Sequence, residues 1–358
     1  MFGRIAFIKL CCPGDILFTT PAVRAVKKQF PDSELYYITG NYSRFVPEHN
    51  PHIDRTIIVQ PPFEMGGRFS GIRSMAQGIS RISGRGIDLA VSFHRSRLVT
   101  AMARFAGVRN VLGFDTARPM ADMSRQFNPD EHEVRRYLQL VSAMEAEADG
   151  IDMEYATTPD EDREAARLLQ EHGIVGPFAA IAPGGGENPG TTMHIKRWPS
   201  YYYREVARYI RFNSSLSVVA VGSNSERNLA AAIGADINLA GNTTFQMLAA
   251  IMKMSRIVIG NDSGPLYLAS AMGTPTVGIY GPSSPKLVGP LRQNHRSVLS
   301  AVWCQPCYHP QNVRRGLVKC PTGTWACMMT LRPEQVCAAI EDLLGHGRDQ
   351  SKAMDDSK

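Results

Sequence analysis

Long apolar runs are missing from this chain. No stretch approaches the ~18 apolar residues that a membrane-spanning helix needs. Residues 1–10 lack a charged segment, a long apolar segment and a small-residue cleavage site in succession, so no secretory signal is read there. The chain is therefore expected to stay in the cytoplasm. Nucleic-acid motifs and long basic helices are absent, which argues against a DNA or RNA partner. No short-period repeat is visible, which excludes a solenoid. Charge is modest, at 20% of residues, beside 44% hydrophobic residues, the balance of an ordinary globular protein. The net charge of +6 fits a slightly basic solvated surface, and it also suits an acidic substrate or an anionic membrane surface.

A chain of 358 residues has room for about two domains. Apolar strand-like runs alternate with helix-period segments throughout, the pattern of parallel α/β layers. Strands are expected at 4–10, 34–39, 55–59, 88–93 and 110–114, then at 178–182, 217–221, 237–239, 256–260 and 275–280. Helical periodicity fits 71–82, 96–105, 131–144, 201–212, 226–233 and 245–252. The segment 148–159 is acidic and lightly apolar and reads as a linker. The expected division is 1–150 and 160–345, each Rossmann-like, with a polar, unstructured tail at 346–358.

The most informative segment is 260–282, GNDSGPLYLASAMGTPTVGIYGP. It reads as strand, turn, helix, turn, strand. Asp262, Ser263 and Gly264 sit at the start of the helix, where free N–H groups can receive a phosphate or a sugar hydroxyl. A plain helix cap is the competing reading for Asp262 or Ser263.

Three further segments follow expected strands. The first strand ends in Cys11-Cys12-Pro13-Gly14-Asp15, with a helix expected near Ile16. Asp15 is then a carboxylate at a sheet edge, for which a plain N-cap is one reading. The second is Pro183-Gly184-Gly185-Gly186, running through Thr191-Thr192 to Lys196-Arg197-Trp198-Pro199. Its glycines allow close backbone approach to a diphosphate, and Lys196 adds a positive charge. Thr191 and Thr192 are candidate hydroxyl donors. The third is Gly222-Ser223-Asn224-Ser225-Glu226. The Glu226 carboxylate can accept two hydrogen bonds, or reciprocate Ser223 in a capping box.

In the first half His94, Arg95 and Arg97 follow an expected strand, with Arg68, Arg73, Arg81 and Arg85 nearby in sequence. Guanidinium groups suit an acceptor bearing carboxylates or phosphates, though each arginine fits a solvated helix face equally well. Met65-Gly66-Gly67 suggests a mobile loop. Cys304, Cys307, Cys320 and Cys327 have zinc-like spacing in a Pro- and Gly-rich loop. Free or buried thiols are the other reading. Asp160-Glu161-Asp162 formally matches a metal-binding D-x-D but sits at a helix start, where acidic capping accounts for it.

These blocks together resemble glycosyltransferase family 9, the lipopolysaccharide heptosyltransferases, over roughly residues 1–340. The one notable departure is Tyr267, where the family usually has histidine. The resemblance implies a GT-B fold, with two Rossmann-like domains facing across a cleft. The first would bind the acceptor and the second the nucleotide sugar. It implies inverting transfer of heptose from an ADP-activated donor to a Kdo–lipid A-type acceptor at the inner membrane surface, with no cofactor required for catalysis. Asp15 would be the base, and Lys196 would contact the phosphates. Glu226 would hold the ribose and Asp262 the donor sugar, with Ser263 and Gly264 near the phosphates. A cysteine-rich loop is common in that family and need not mark a special function. Two alternatives stay open. One is a GT-B transferase or epimerase using another nucleotide sugar. The other is a non-catalytic nucleotide- or glycolipid-binding homologue, suggested by Tyr267.

Overall fold

The computed structural model describes residues 2–10, 12–61, 70–188, 191–308 and 319–355. The chain divides into two compact units, Met1–Ala156 and Thr157–Lys358. Each is built on a six-stranded parallel sheet. The first unit holds β1 (Arg4–Ile8), β2 (Glu34–Thr39), β3 (Arg55–Ile58), β4 (Leu89–Ser92), β5 (Asn110–Phe114) and β6 (Met123–Arg125). Their order is β3-β2-β1-β4-β5-β6. The second holds β7 (Phe178–Ala182), a small antiparallel pair β8 (Glu187–Asn188) and β9 (Thr191–Thr192), then β10 (Ser217–Ala220), β11 (Ile237–Asn238), β12 (Ile257–Asn261), β13 (Thr276–Tyr280) and β14 (His295–Leu299). Its main sheet runs β11-β10-β7-β12-β13-β14, the same order shifted along the chain.

Burial on both faces explains the unbroken apolar strands. In β7, Ala179 and Ile181 face one cluster with Trp198 and Tyr203, while Phe178, Ala180 and Ala182 face another with Leu169 and Leu239. A strand covered on both sides gains from apolar residues at every position. In β1, Ile5 lies opposite Leu35 on one neighbour and Leu89 on the other. The order reverses between β1 and β4, and between β7 and β12. Parallel sheets of this kind open a ligand crevice at the carboxyl ends of the strands at such reversals.

Both outermost strands on the later side of each sheet, β6 and β14, escape apolar periodicity. Each is an edge strand with polar residues, Met-Ser-Arg in one and His-Arg-Ser-Val-Leu in the other. The helix Pro159–Glu171 opens with a complete capping box from Thr158 and Glu161. Asp160 pairs with Arg163, and Asp162 with Lys253, so this acidic run does cap a helix. The tail departs from expectation. The last helix runs Pro333–Asp355, well past Gly345, because no proline interrupts the helical ladder there.

Behind the edge of the first sheet lies a buried charged network. Arg136, 1% exposed, donates to Glu133 at 2.7 Å and to the carbonyl of Asn128 at 2.8 Å. Lys9 donates to the Tyr137 hydroxyl at 2.7 Å. Burial pushes the Glu133 carboxyl up, but Lys9 and Arg136 outweigh it and hold it below its ordinary value. Removing one partner would strand the others away from water. Arg136→Ala should therefore cost roughly 3–5 kcal/mol in denaturant unfolding. A loss under about 1 kcal/mol would show that the network relaxes into solvent.

Candidate functional site

Strands β10, β7 and β12 are neighbours, so the loops at their carboxyl ends meet at one edge of the second sheet. After β12, Asp262 is 3% exposed. Lys196 Nζ lies 2.7 Å from its Oδ2. The hydroxyls of Tyr267 and Ser283 also donate to this carboxylate. Burial pushes Asp262 up, yet the charge of Lys196 and these donors prevail and hold it below the usual carboxylate range. Tyr267 thus supplies a donor to Asp262 from the position where a histidine was expected. Ser263 is buried at the N-terminus of the helix Gly264–Ala271 and gives no side-chain cap.

Glu226 is the second buried carboxylate, 5% exposed. It accepts the Ser223 N–H at 2.8 Å and forms the expected capping box with Ser223. It also accepts the N–H of Gly185, and Arg197 Nη2 lies 3.6 Å away. This modifies the expectation for the glycine loop, because the Gly185 N–H faces Glu226 within the protein. A Cβ at Gly184 would collide with the Glu226 carboxylate, and Gly185 has φ +109°. The glycines here admit a side chain of the same molecule. Thr191 and Thr192 form β9 beside this loop.

Asn261 is a site residue that the motif reading missed. It is fully buried and bonds two other segments at once. Its amide donates to the carbonyls of Pro183 at 2.9 Å and Gly184 at 2.7 Å, and its Oδ1 accepts the Trp198 N–H at 3.1 Å. Trp198, 1% exposed, donates its indole N–H to Leu331 and packs against Tyr203. That anchor holds Lys196 and Arg197 beside the two carboxylates. The only advance signal is an Asn at a strand's last position, where a polar side chain must find partners.

In the first unit Asp15 lies in the first turn of the short helix Pro13–Leu17, whose N-cap is Cys12. The helix begins earlier than expected, so Asp15 is not the cap. It is half-buried, and no side chain among the described residues pairs with its carboxylate. Its charge is felt by Tyr137. The Leu10 N–H donates to His94 Nε2 at 2.7 Å, and burial with nearby Lys9 and Arg95 holds His94 well below its ordinary pKa. His94 is therefore neutral, with its proton on Nδ1. Arg95 stacks over Phe127 at 4.9 Å, and Arg97 is exposed. Arg68 and Met65-Gly66-Gly67 lie outside the described residues, whereas Arg73, Arg81 and Arg85 are exposed, as on a solvated face.

For the cysteines, zinc and free or buried thiols are the two readings. Cys304, Cys307, Cys320 and Cys327 form no disulfide, and the other three bear electrostatically on Cys327. No three His, Cys, Asp or Glu side chains gather as a ligand set among the described residues. Cys327 packs into the apolar core, which with its neighbouring cysteines pushes its thiol up to about 11. Cys320 bonds instead to the Thr322 hydroxyl at 3.3 Å. Among the described residues no helix is long and apolar enough to cross a membrane.

The three donors around Asp262 make Tyr267 testable. Tyr267→Phe leaves a buried carboxylate short of one hydrogen bond and should cost about 1.5–3 kcal/mol at pH 7. The stability carried by ionised Asp262 is present above its unfolded pKa and is lost as pH falls through the lower folded value. The deficit should therefore shrink below about pH 4. Urea unfolding at the two pH values checks this, and a pH-independent deficit would assign the loss to packing alone.

Comparison with known proteins bears on the fold and the family. Lipopolysaccharide heptosyltransferase 1 of Pseudomonas aeruginosa is 24% identical over 366 residues, covering 95% of this chain and 98% of that protein. A glycosyltransferase family 9 structure from Veillonella parvula superposes with TM-score 0.79 at 21% identity, covering 96% of this chain and 97% of that one. The E. coli ADP-heptose lipopolysaccharide heptosyltransferase II structure gives TM-score 0.74 at 19% identity, covering 96% and 99%. The two doubly wound units are those of the GT-B fold. The model of glycosyltransferase family 9 (heptosyltransferase) matches residues 79–317, and the chain belongs to that family.

Proposed function

We propose that this protein is an inverting glycosyltransferase that moves heptose from ADP-heptose to the inner core of a lipopolysaccharide or lipooligosaccharide precursor. The observation that carries the proposal is the pairing at the second sheet's edge. Both cations of Lys196-Arg197 face the two buried carboxylates, Asp262 at 2.7 Å and Glu226 at 3.6 Å. These pairs neutralise the site internally. A donor carrying a diphosphate flanked by hydroxyl-rich sugars offers anions to the cations and hydroxyls to the carboxylates. A bare anion would satisfy only half of that exchange.

In the proposed reaction the acceptor hydroxyl attacks the anomeric carbon of the donor as its bond to the diphosphate oxygen breaks. Asp15 takes the hydroxyl proton. Lys196 and the N–H groups opening the helix Gly264–Ala271 receive the charge that grows on the leaving diphosphate. His94, Arg95 and Arg97, with Arg68, would bind the acceptor's carboxylates and phosphates. The acceptor's lipid would bring this basic chain to the cytoplasmic face of the inner membrane. Thr191, Thr192, Ser223, Ser263 and the glycine loop complete the donor pocket in this reading, and no metal takes part in transfer. The hydrogen bond from Tyr267 to Asp262 supports an active site over a degenerate one.

The roles separate experimentally. Asp15→Asn should lower the transfer rate by about 10²–10⁴ while leaving donor affinity nearly unchanged. A fully active variant would reduce Asp15 to a helix residue. Lys196→Ala should lose most of the preference for a nucleoside diphosphate over the monophosphate, whereas Glu226→Ala should weaken both ligands alike. If calorimetry finds neither change, the donor does not bind in the second unit.

A further inference from the structure

We propose that Tyr308, at the start of the cysteine-rich segment, is a positioning residue that acts through Lys196. This rests on the donor-site reading above and extends it to a residue that no motif singled out. The Lys196 ammonium lies 4.7 Å from the centre of the Tyr308 ring. On another side it meets Asp262 at 2.7 Å. The lysine side chain is only 12% exposed, so both contacts act where water competes weakly.

The ring is fixed by its own backbone. The Tyr308 N–H donates to the carbonyl of Pro282 at 2.8 Å. Gln305 Nε2 donates to the carbonyl of Tyr280 at 3.1 Å. Both anchors sit at the end of β13, next to Ser283, whose hydroxyl bonds Asp262. The ring, the carboxylate and its supporting hydroxyl therefore share one rigid strand end and its neighbour β12.

A lysine head on a four-carbon stem is poorly fixed by a single carboxylate. An aromatic face adds a second point of attraction without adding a negative charge that would compete with an incoming diphosphate. Tyr308 thus holds the ammonium ready for the phosphates and lowers the ordering cost of binding. The ring face, not the hydroxyl, does this.

The test is a double-mutant cycle read by calorimetry with ADP and AMP on the full chain. Tyr308→Leu should weaken ADP about two- to tenfold and narrow the preference for ADP over AMP. Tyr308→Phe should stay within about twofold of the parent. In the Lys196→Ala background, Tyr308→Leu should add less than about twofold. Thermal unfolding verifies that each variant is folded, with Tyr308→Met as the substitute if Tyr308→Leu is not. Equal losses in both backgrounds would overturn the proposal, as would a Phe variant as weak as the Leu variant. If Lys196→Ala itself leaves ADP affinity and preference unchanged, the donor-site reading fails and takes this proposal with it.

Discussion

A carboxylate that stays ionised while almost fully buried organises the second unit. Asp262 can do so only because Lys196, Tyr267 and Ser283 converge on it from three separate parts of the chain. Desolvating a lone carboxylate would cost several kcal/mol, so each partner must be held in place by the surrounding fold. That requirement accounts for much of the local architecture. Trp198 is buried to anchor the Lys196 segment, and Asn261 ties the same segment to the glycine loop. The result is a charged, preorganised edge rather than a set of loops that assemble when a ligand arrives.

The two units solve the same topological problem with different polar contents. Both use one strand order, and both carry their candidate site residues after the central strands. In the second unit two cation–carboxylate pairs balance each other at the sheet edge. In the first, the buried charge lies behind the edge, in Lys9, Glu133 and Arg136, while Asp15 has no paired side chain among the described residues. A carboxylate with no paired side chain among the described residues fits the proposed base, whereas one tied by three donors is suited to orientation. This difference supports distinct roles for Asp15 and Asp262.

Much of this was legible from residue order, for physical reasons that also set the limits. Strands buried on both faces, such as β1 and β7, declare themselves through unbroken apolar runs. Edge strands such as β6 and β14 do not, because half their surface meets polar surroundings. Residues at strand ends could be nominated, including Asp262, Glu226 and Lys196, but their mutual pairing could not. Pairing depends on which strands are neighbours, which is a long-range property. Asn261 and Tyr308 were invisible for the same reason, since their roles arise from contacts across the fold. The cysteine spacing leaves zinc and free or buried thiols both open, because it carries no information on burial. Cys327 belongs to the apolar core.

In the proposed reaction the nucleoside diphosphate of the donor binds at the edge shared by β10, β7 and β12. A crystal structure with ADP bound tests it most directly. Phosphates are expected within hydrogen-bonding reach of Lys196 and of the backbone N–H groups at Ser263–Gly264, with the ribose hydroxyls at Glu226. ADP bound in the first unit, or phosphates touching neither Lys196 nor that helix N-terminus, would contradict it.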